Sequence, residues 1–150
     1  MKIIGHRGAA GLALENTTQS IKSGIEAGVD AVEFDVRVTK DGKLVLSHDR
    51  HLGRVSKDSR FVRTHSLKRL RQVPLNNGQK IATLAEAVQA AGKTSLVIEG
   101  KEDGWARPLA KFLQSYKKRP DCFVTSFNHR ELYTFSLLVP EVPVYALEHT

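Results

Sequence analysis

Seven residues in this chain have side chains and spacing suited to phosphate chemistry: His6, Arg7, Glu33, Asp35, His48, Glu99 and Lys101. Three carboxylates gathered without neutralisation repel, and each raises the pKa of the others. A hard divalent cation with oxygen ligands removes that conflict, so Glu33, Asp35 and Glu99 read as a Mg²⁺ or Ca²⁺ site. Zinc is disfavoured because no Cys/His ligand spacing supports it. His6 and His48 titrate near neutral pH and suit a general acid and a general base. Arg7 and Lys101 offer fixed positive charge to a phosphate. Together these groups specify metal-assisted phosphodiester cleavage. Each residue also has a plainer reading. His6 could be a satisfied core histidine, Glu33 and Asp35 solvated charges, and Glu99 an ion-pair partner of Lys101.

The elements that must position these groups begin with residues 31–49. Val32, Phe34, Val36 and Val38 alternate with Glu33, Asp35, Arg37 and Thr39, the period of a strand with one face buried. Asp41-Gly42 is a strong hairpin signal. A two-residue turn there pairs Lys40 with Lys43 and sets His48 directly opposite Asp35 on the same face. Upstream, an apolar run from Lys2 ends in Gly5-His6-Arg7-Gly8, a glycine-rich turn in which Gly5, Gly8 and Gly11 allow close backbone approach. Asn16 or Thr17 caps a helix with Ile21, Ile25 and Val29 on its apolar face, stopped by Gly28. Strand, helix, strand is the signature of a parallel α/β sheet.

Residues 50–80 read as a long polar and basic excursion with a short helix near Leu67–Arg71. His51 and His65 read as solvated. Further on, Thr83 caps an alanine-rich helix ending at Gly92, and Leu96–Ile98 form a buried strand leading to Glu99-Gly100-Lys101. A helix is expected from Trp105 to Lys118, with Leu109, Phe112, Leu113 and Tyr116 as its apolar face. Cys122–Ser126, Glu131–Leu138 and Val144–Leu147 add strand, helix and strand. The candidate site residues all fall at or near strand C-termini, where parallel α/β folds bind ligands.

The bulk properties narrow the function classes. The chain has 150 residues, 41% hydrophobic and 26% charged, enough for one domain with a sizeable core. A net charge of +7 and a pI of 9.7 suit an anionic partner. Apart from Lys117-Lys118-Arg119 and the segment 50–71, the basic residues are spread rather than run together, which disfavours nucleic acid. One cysteine, Cys122, excludes an internal disulfide and fits a reducing, cytoplasmic setting. It reads as an inert core residue. No signal peptide is expected, since a strand begins at Lys2, and no apolar run approaches a membrane span.

The motifs His6-Arg7-Gly8, Glu15-Asn16-Thr17, Glu33-Phe34-Asp35-Val36, His48-Asp49 and Glu99-Gly100-Lys101 resemble, in order and spacing, the glycerophosphodiester phosphodiesterase family of phospholipase-C-like barrels. Ser126-Phe127 is similar as well. Leu14 and Ala82 stand where the family usually has proline. The resemblance implies a TIM-type (β/α) barrel with a metal held by Glu33, Asp35 and Glu99. It implies His6 and His48 as the acid/base pair, and Arg7 and Lys101 against the phosphate. It further implies hydrolysis of a glycerophosphodiester to glycerol 3-phosphate and an alcohol through a cyclic intermediate. Residues 50–80 fall where the family inserts a substrate-covering segment. Two other expectations keep the same fold: a phosphodiesterase acting on lysophospholipid or phosphoinositide-like substrates, and a non-catalytic anion-binding fragment. A full barrel has about 250 residues. The 150-residue chain is therefore expected to be a single, C-terminally truncated domain with five or six of eight strands, able to self-associate through its open barrel edge.

Overall fold

The computed structural model describes residues 1–149. Five parallel strands lie side by side in the order β1 (Ile4–Gly5), β2 (Ala31–Val38), β4 (Ser95–Gly100), β5 (Cys122–Ser126) and β6 (Val144–Ala146). Between β1 and β2 runs helix α1 (Thr18–Glu26); α4 (Ala106–Gln114) and α5 (His129–Leu138) follow β4 and β5. Strand β3 (Leu44–Leu46) pairs antiparallel with the end of β2 and lies off this row. The barrel path among the described residues is therefore five strands, not six.

The local signals explain most element ends. Thr17 caps α1, accepting from Ser20 N at 3.1 Å while Ser20 Oγ accepts from Thr17 N, a reciprocal capping box. Thr83 and Glu86 build the same box at the start of α3 (Leu84–Ala91). The alternate residues Val32, Phe34 and Val36 of β2 enter one apolar core with Leu96 and Ile98 of β4, Val124 of β5, and the inner faces of α1, α3, α4 and α5. Trp105 and Phe135 are buried in the same core, their ring centroids 6.0 Å apart. Helix α4 ends at Gln114, short of the expected Lys118. Tyr116 then lies beyond it, half-exposed, edge-on to Phe112.

The hairpin differs from expectation by one residue. Val36 pairs with Leu46, Arg37 with Val45 and Val38 with Leu44. The loop holds three residues, Lys40-Asp41-Gly42, with Gly42 N donating to Thr39 O at 3.0 Å and Gly42 at φ +75. A three-residue loop closed by a left-handed glycine satisfies Asp-Gly as well as the two-residue turn does. Asp35 is consequently opposed by Ser47, whose N–H donates to Asp35 O at 3.1 Å, and His48 lies one residue further on.

Residues 50–80 are no plain surface loop. Leu52, Val62 and Leu70 join Val45 and Ile81 in a second small core, with Val55 and Leu67 against it. Short bridges pair His51 with Phe61 and Ser56 with Leu75, and a single-turn helix α2 (Leu67–Leu70) is capped by Ser66. No helix among the described residues is long and apolar enough to cross a membrane.

Candidate active site

The parallel register of β2 and β4 sets Asp35 beside Glu99, with Glu33 two residues before Asp35 on the same face. One carboxylate oxygen from each of Glu33, Asp35 and Glu99 lies within 4.8 Å of the other two. Glu33 and Asp35 are buried, at 8% and 1% exposure, so the solvated reading fails for both. Burial, with the neighbouring charges of Asp35 and then Glu99, pushes Glu33 up to about 7. Its Oε1 is buried without a hydrogen-bond partner. Three close carboxylates, one of them with an unsatisfied oxygen, fit a hard divalent cation.

The β1 end closes over this cluster. Arg7 takes φ +52, and its N–H donates to Glu33 Oε2 at 2.8 Å, while Gly8 N donates to Glu33 O at 2.8 Å. Gly8 is at φ +87, and a Cβ there would run into Ser20 and Ile21 of α1. Only glycine permits both the turn and the close helix. Gly11, by contrast, faces open space. The Arg7 guanidinium donates to both oxygens of Glu15, and its Nε lies 3.7 Å from Asp35 Oδ2. Lys101 Nζ sits 2.5 Å from Glu99 Oε1 and 3.2 Å from Asp35 Oδ1. The plainer Glu99–Lys101 pair therefore does form, and Asp35 shares it.

The two histidines have different settings. The His6 side chain is 70% exposed, not a core residue, with Nε2 4.0 Å from Glu33 Oε2. His48 is half-buried, with Nδ1 2.7 Å from Asp49 Oδ1. Its carbonyl accepts from Arg37 Nε and Nη2 at 3.0 and 2.6 Å. Arg37 is buried, and its Nη1 makes an ion-pair contact of 2.7 Å with Glu102, not aligned as a hydrogen bond.

Supporting residues emerge that single-position reading does not reveal. Asn16 is not the helix cap. It is buried at φ +53, donating to Asp35 Oδ2 at 2.8 Å and accepting from Asp35 N at 3.1 Å. Asp49 links His48 to Arg54, whose guanidinium also grips Glu15. The hydrogen bond from Arg54, ahead of that from His48, draws Asp49 down to about 2. Adjacency to His48 could have flagged Asp49. Nothing local flags Arg54, which stands 39 residues from Glu15. Among the described residues the hydrogen bonds and ring contact of the His51 and His65 side chains go to Gly53, Thr64 and Phe61, all within the 50–80 segment.

Comparison with known proteins decides the lineage. Residues 6–150 match the model of the glycerophosphoryl diester phosphodiesterase family. The chain belongs to this family. It is 31% identical over 156 residues to a glycerophosphodiester phosphodiesterase of Caldanaerobacter subterraneus, covering 95% of this chain and 64% of that protein. Among solved structures, it superposes at a TM-score of 0.90 on an Oleispira antarctica phosphodiesterase in complex with the product sn-glycerol-3-phosphate. That match has 26% identity and covers 97% of this chain and 65% of that one. A Thermotoga maritima glycerophosphodiester phosphodiesterase is 30% identical, with a TM-score of 0.75, 97% of this chain and 74% of that one being covered. The chain thus spans just under two thirds of the length of the curated relative, and its five parallel strands form a partial TIM-type barrel.

Proposed function

We propose that this family member hydrolyses glycerophosphodiesters to glycerol 3-phosphate and an alcohol at the β2–β4 carboxylate cluster. The observation that carries the reading is the convergence of Glu33, Asp35 and Glu99 within 4.8 Å, between the cations Arg7 and Lys101. Those carboxylates would hold a divalent cation, Mg²⁺ or Ca²⁺. When bound, the ion supplies Lewis-acid polarisation of a phosphoryl oxygen. With Glu33 ionised, three carboxylates against two side-chain cations leave one net negative charge, which repels a phosphodiester; two further positive charges reverse that sign.

The chain's own groups do the remaining work. Arg7 and Lys101 orient the phosphate through charge-assisted hydrogen bonds. Lys101 then exchanges part of its pairing with Asp35 and Glu99 for the substrate. Asp49 accepts from His48 Nδ1, which leaves Nε2 as the nitrogen available for proton transfer. One of His48 and His6 removes the proton from the substrate hydroxyl beside the phosphodiester. The oxygen attacks phosphorus, and the other histidine protonates the departing alcohol oxygen. Water then opens the resulting cyclic phosphodiester with the proton roles exchanged. A cytoplasmic setting suits this chemistry and the single buried thiol of Cys122.

Hydrolysis of glycerophosphocholine is measured with added Mg²⁺ or Ca²⁺, with and without chelator. Turnover that chelator abolishes and metal restores is expected. Turnover indifferent to chelator removes the metal assignment, and none under any condition from a folded chain removes the proposed activity.

A further inference from the structure

The positive charge of this protein is concentrated in one small unit. Residues 50–80 contain nine Lys and Arg and one Asp, a net charge of +8, while the whole chain carries +7, so everything else together carries −1. Four of the nine cations face carboxylates. Arg50 pairs with Glu102, Arg54 with Glu15 and Asp49, Arg60 with Asp58, and Arg71 with Glu86. Three of these, with Arg63 Nη1 donating to Asp103 O at 2.8 Å, tie the unit to the barrel. The ties to Glu15, Glu102 and Asp103 reach the loops after β1 and β4, the end at which the carboxylate cluster lies.

Other cations of the unit are exposed and meet no carboxylate among the described residues. Several stand near Phe61 along the chain or through short hydrogen-bonded links, and Phe61 is itself 51% exposed, edge-on to the His51 ring. Arg63 is two residues away. Arg60 Nη1 donates to Arg69 O at 2.8 Å and so brings Lys68-Arg69 alongside. His65 Nδ1 is 2.8 Å from Phe61 O, and His65 O accepts from Lys40 N at 3.0 Å, which adds the hairpin turn. An exposed aromatic ring set among unpaired cations is the pattern of a surface that meets anionic lipid: charges attract the headgroups and the ring enters the interface.

We propose that the face formed by Phe61, Lys40, Arg63, Lys68 and Arg69 docks the protein on bilayers rich in anionic phospholipid, with the β2–β4 cluster opening near the lipid surface. Docking rests on the charge and placement of this face. Its use in presenting membrane-held lysophospholipids, which keep the free glycerol hydroxyl that the cyclisation needs, rests on the proposed hydrolytic function.

Cosedimentation with vesicles of phosphatidylcholine, with and without 30 mole per cent phosphatidylglycerol, tests it. The composition is a choice of about one anionic lipid in three, to give a surface potential of the kind that attracts polybasic segments. Binding only to the anionic vesicles is expected, falling as salt rises. Each neutralised cation should weaken it on the order of fivefold. The triple variant Lys40→Gln, Lys68→Gln, Arg69→Gln removes side chains without hydrogen bonds in the fold, and should lose on the order of a hundredfold. Phe61→Ser should weaken binding at high salt as well. Glycerophosphocholine turnover, read separately, should not change in these variants, so failure of docking and failure of the hydrolytic reading are distinguishable. Equal binding of the triple variant, or of the wild type to neutral vesicles, overturns the proposal. Tighter binding to duplex DNA than to anionic vesicles at the same salt assigns the face to nucleic acid and also overturns it.

Discussion

Asn16 offers the sharpest test of how the carboxylate cluster is held. Its side chain satisfies the backbone N–H of buried Asp35 at 3.1 Å and donates to the Asp35 carboxylate at 2.8 Å, while its own backbone sits at φ +53. Asn16→Gly removes both hydrogen bonds but keeps the left-handed backbone accessible. The neutral bond contributes about 1 kcal/mol and the charge-assisted one about 1.5–3 kcal/mol, so a loss of roughly 2.5–4 kcal/mol is expected. Asn16→Ala loses the same bonds and adds the strain of a Cβ at positive φ, roughly 1 kcal/mol more. For a domain of this size the glycine variant should melt about 5–15 °C lower. Urea denaturation of wild type, Asn16→Gly and Asn16→Ala measures both steps. Calorimetric titration with Mg²⁺ or Ca²⁺ adds a second readout, since an unanchored Asp35 should bind a cation more weakly. A glycine variant within about 1 kcal/mol of wild type refutes the hydrogen-bond reasoning. An alanine variant more stable than the glycine variant refutes the backbone reasoning.

Other outcomes follow from the same geometry. His48→Ala should lower turnover by about 10²–10⁴-fold with the far-ultraviolet circular dichroism preserved. Asp49→Asn, which loosens the ring and weakens the tie to Arg54, should lower kcat more than it raises KM; an unaltered kcat removes any part of Asp49 in proton transfer. Gly100→Ala places a Cβ against the buried Trp105 ring and should destabilise by about 1–3 kcal/mol in urea. Burial pushes the Cys122 thiol from its ordinary 9.0 up to about 11. The native state therefore holds that proton longer than the unfolded one. Its contribution to stability is complete below pH 9 and is lost as pH rises to about 11. Cys122→Ser should flatten that alkaline limb, and native Cys122 should alkylate slowly at neutral pH until the chain is unfolded.

Much of the barrel and the placement of its carboxylates could be read along the chain because the governing physics is local. Period-two alternation alone put Glu33 and Asp35 on the face opposite Phe34 and Val36, and the strand–helix rhythm carried Glu99 to an equivalent strand end. Capping at Thr17 and Thr83 was legible for the same reason: a hydroxyl three residues from a backbone N–H needs no distant partner. The hairpin register was not, since Asp41-Gly42 fits a two- and a three-residue loop equally well. The choice moves His48 by one position relative to Asp35. Residues 50–80 hid their core because Leu52, Val62 and Leu70 follow no helical or strand period and meet only when Val45 and Ile81 are brought between them. Asn16 looked like a cap until β2 placed Asp35 over it, and Arg54 had no visible role until the fold laid it across Glu15 and Asp49. Alternation and capping depend on neighbours a few residues away. Register, the second core and the carboxylate supports depend on which distant backbone arrives alongside, and that is decided only when the whole sheet closes around its apolar residues.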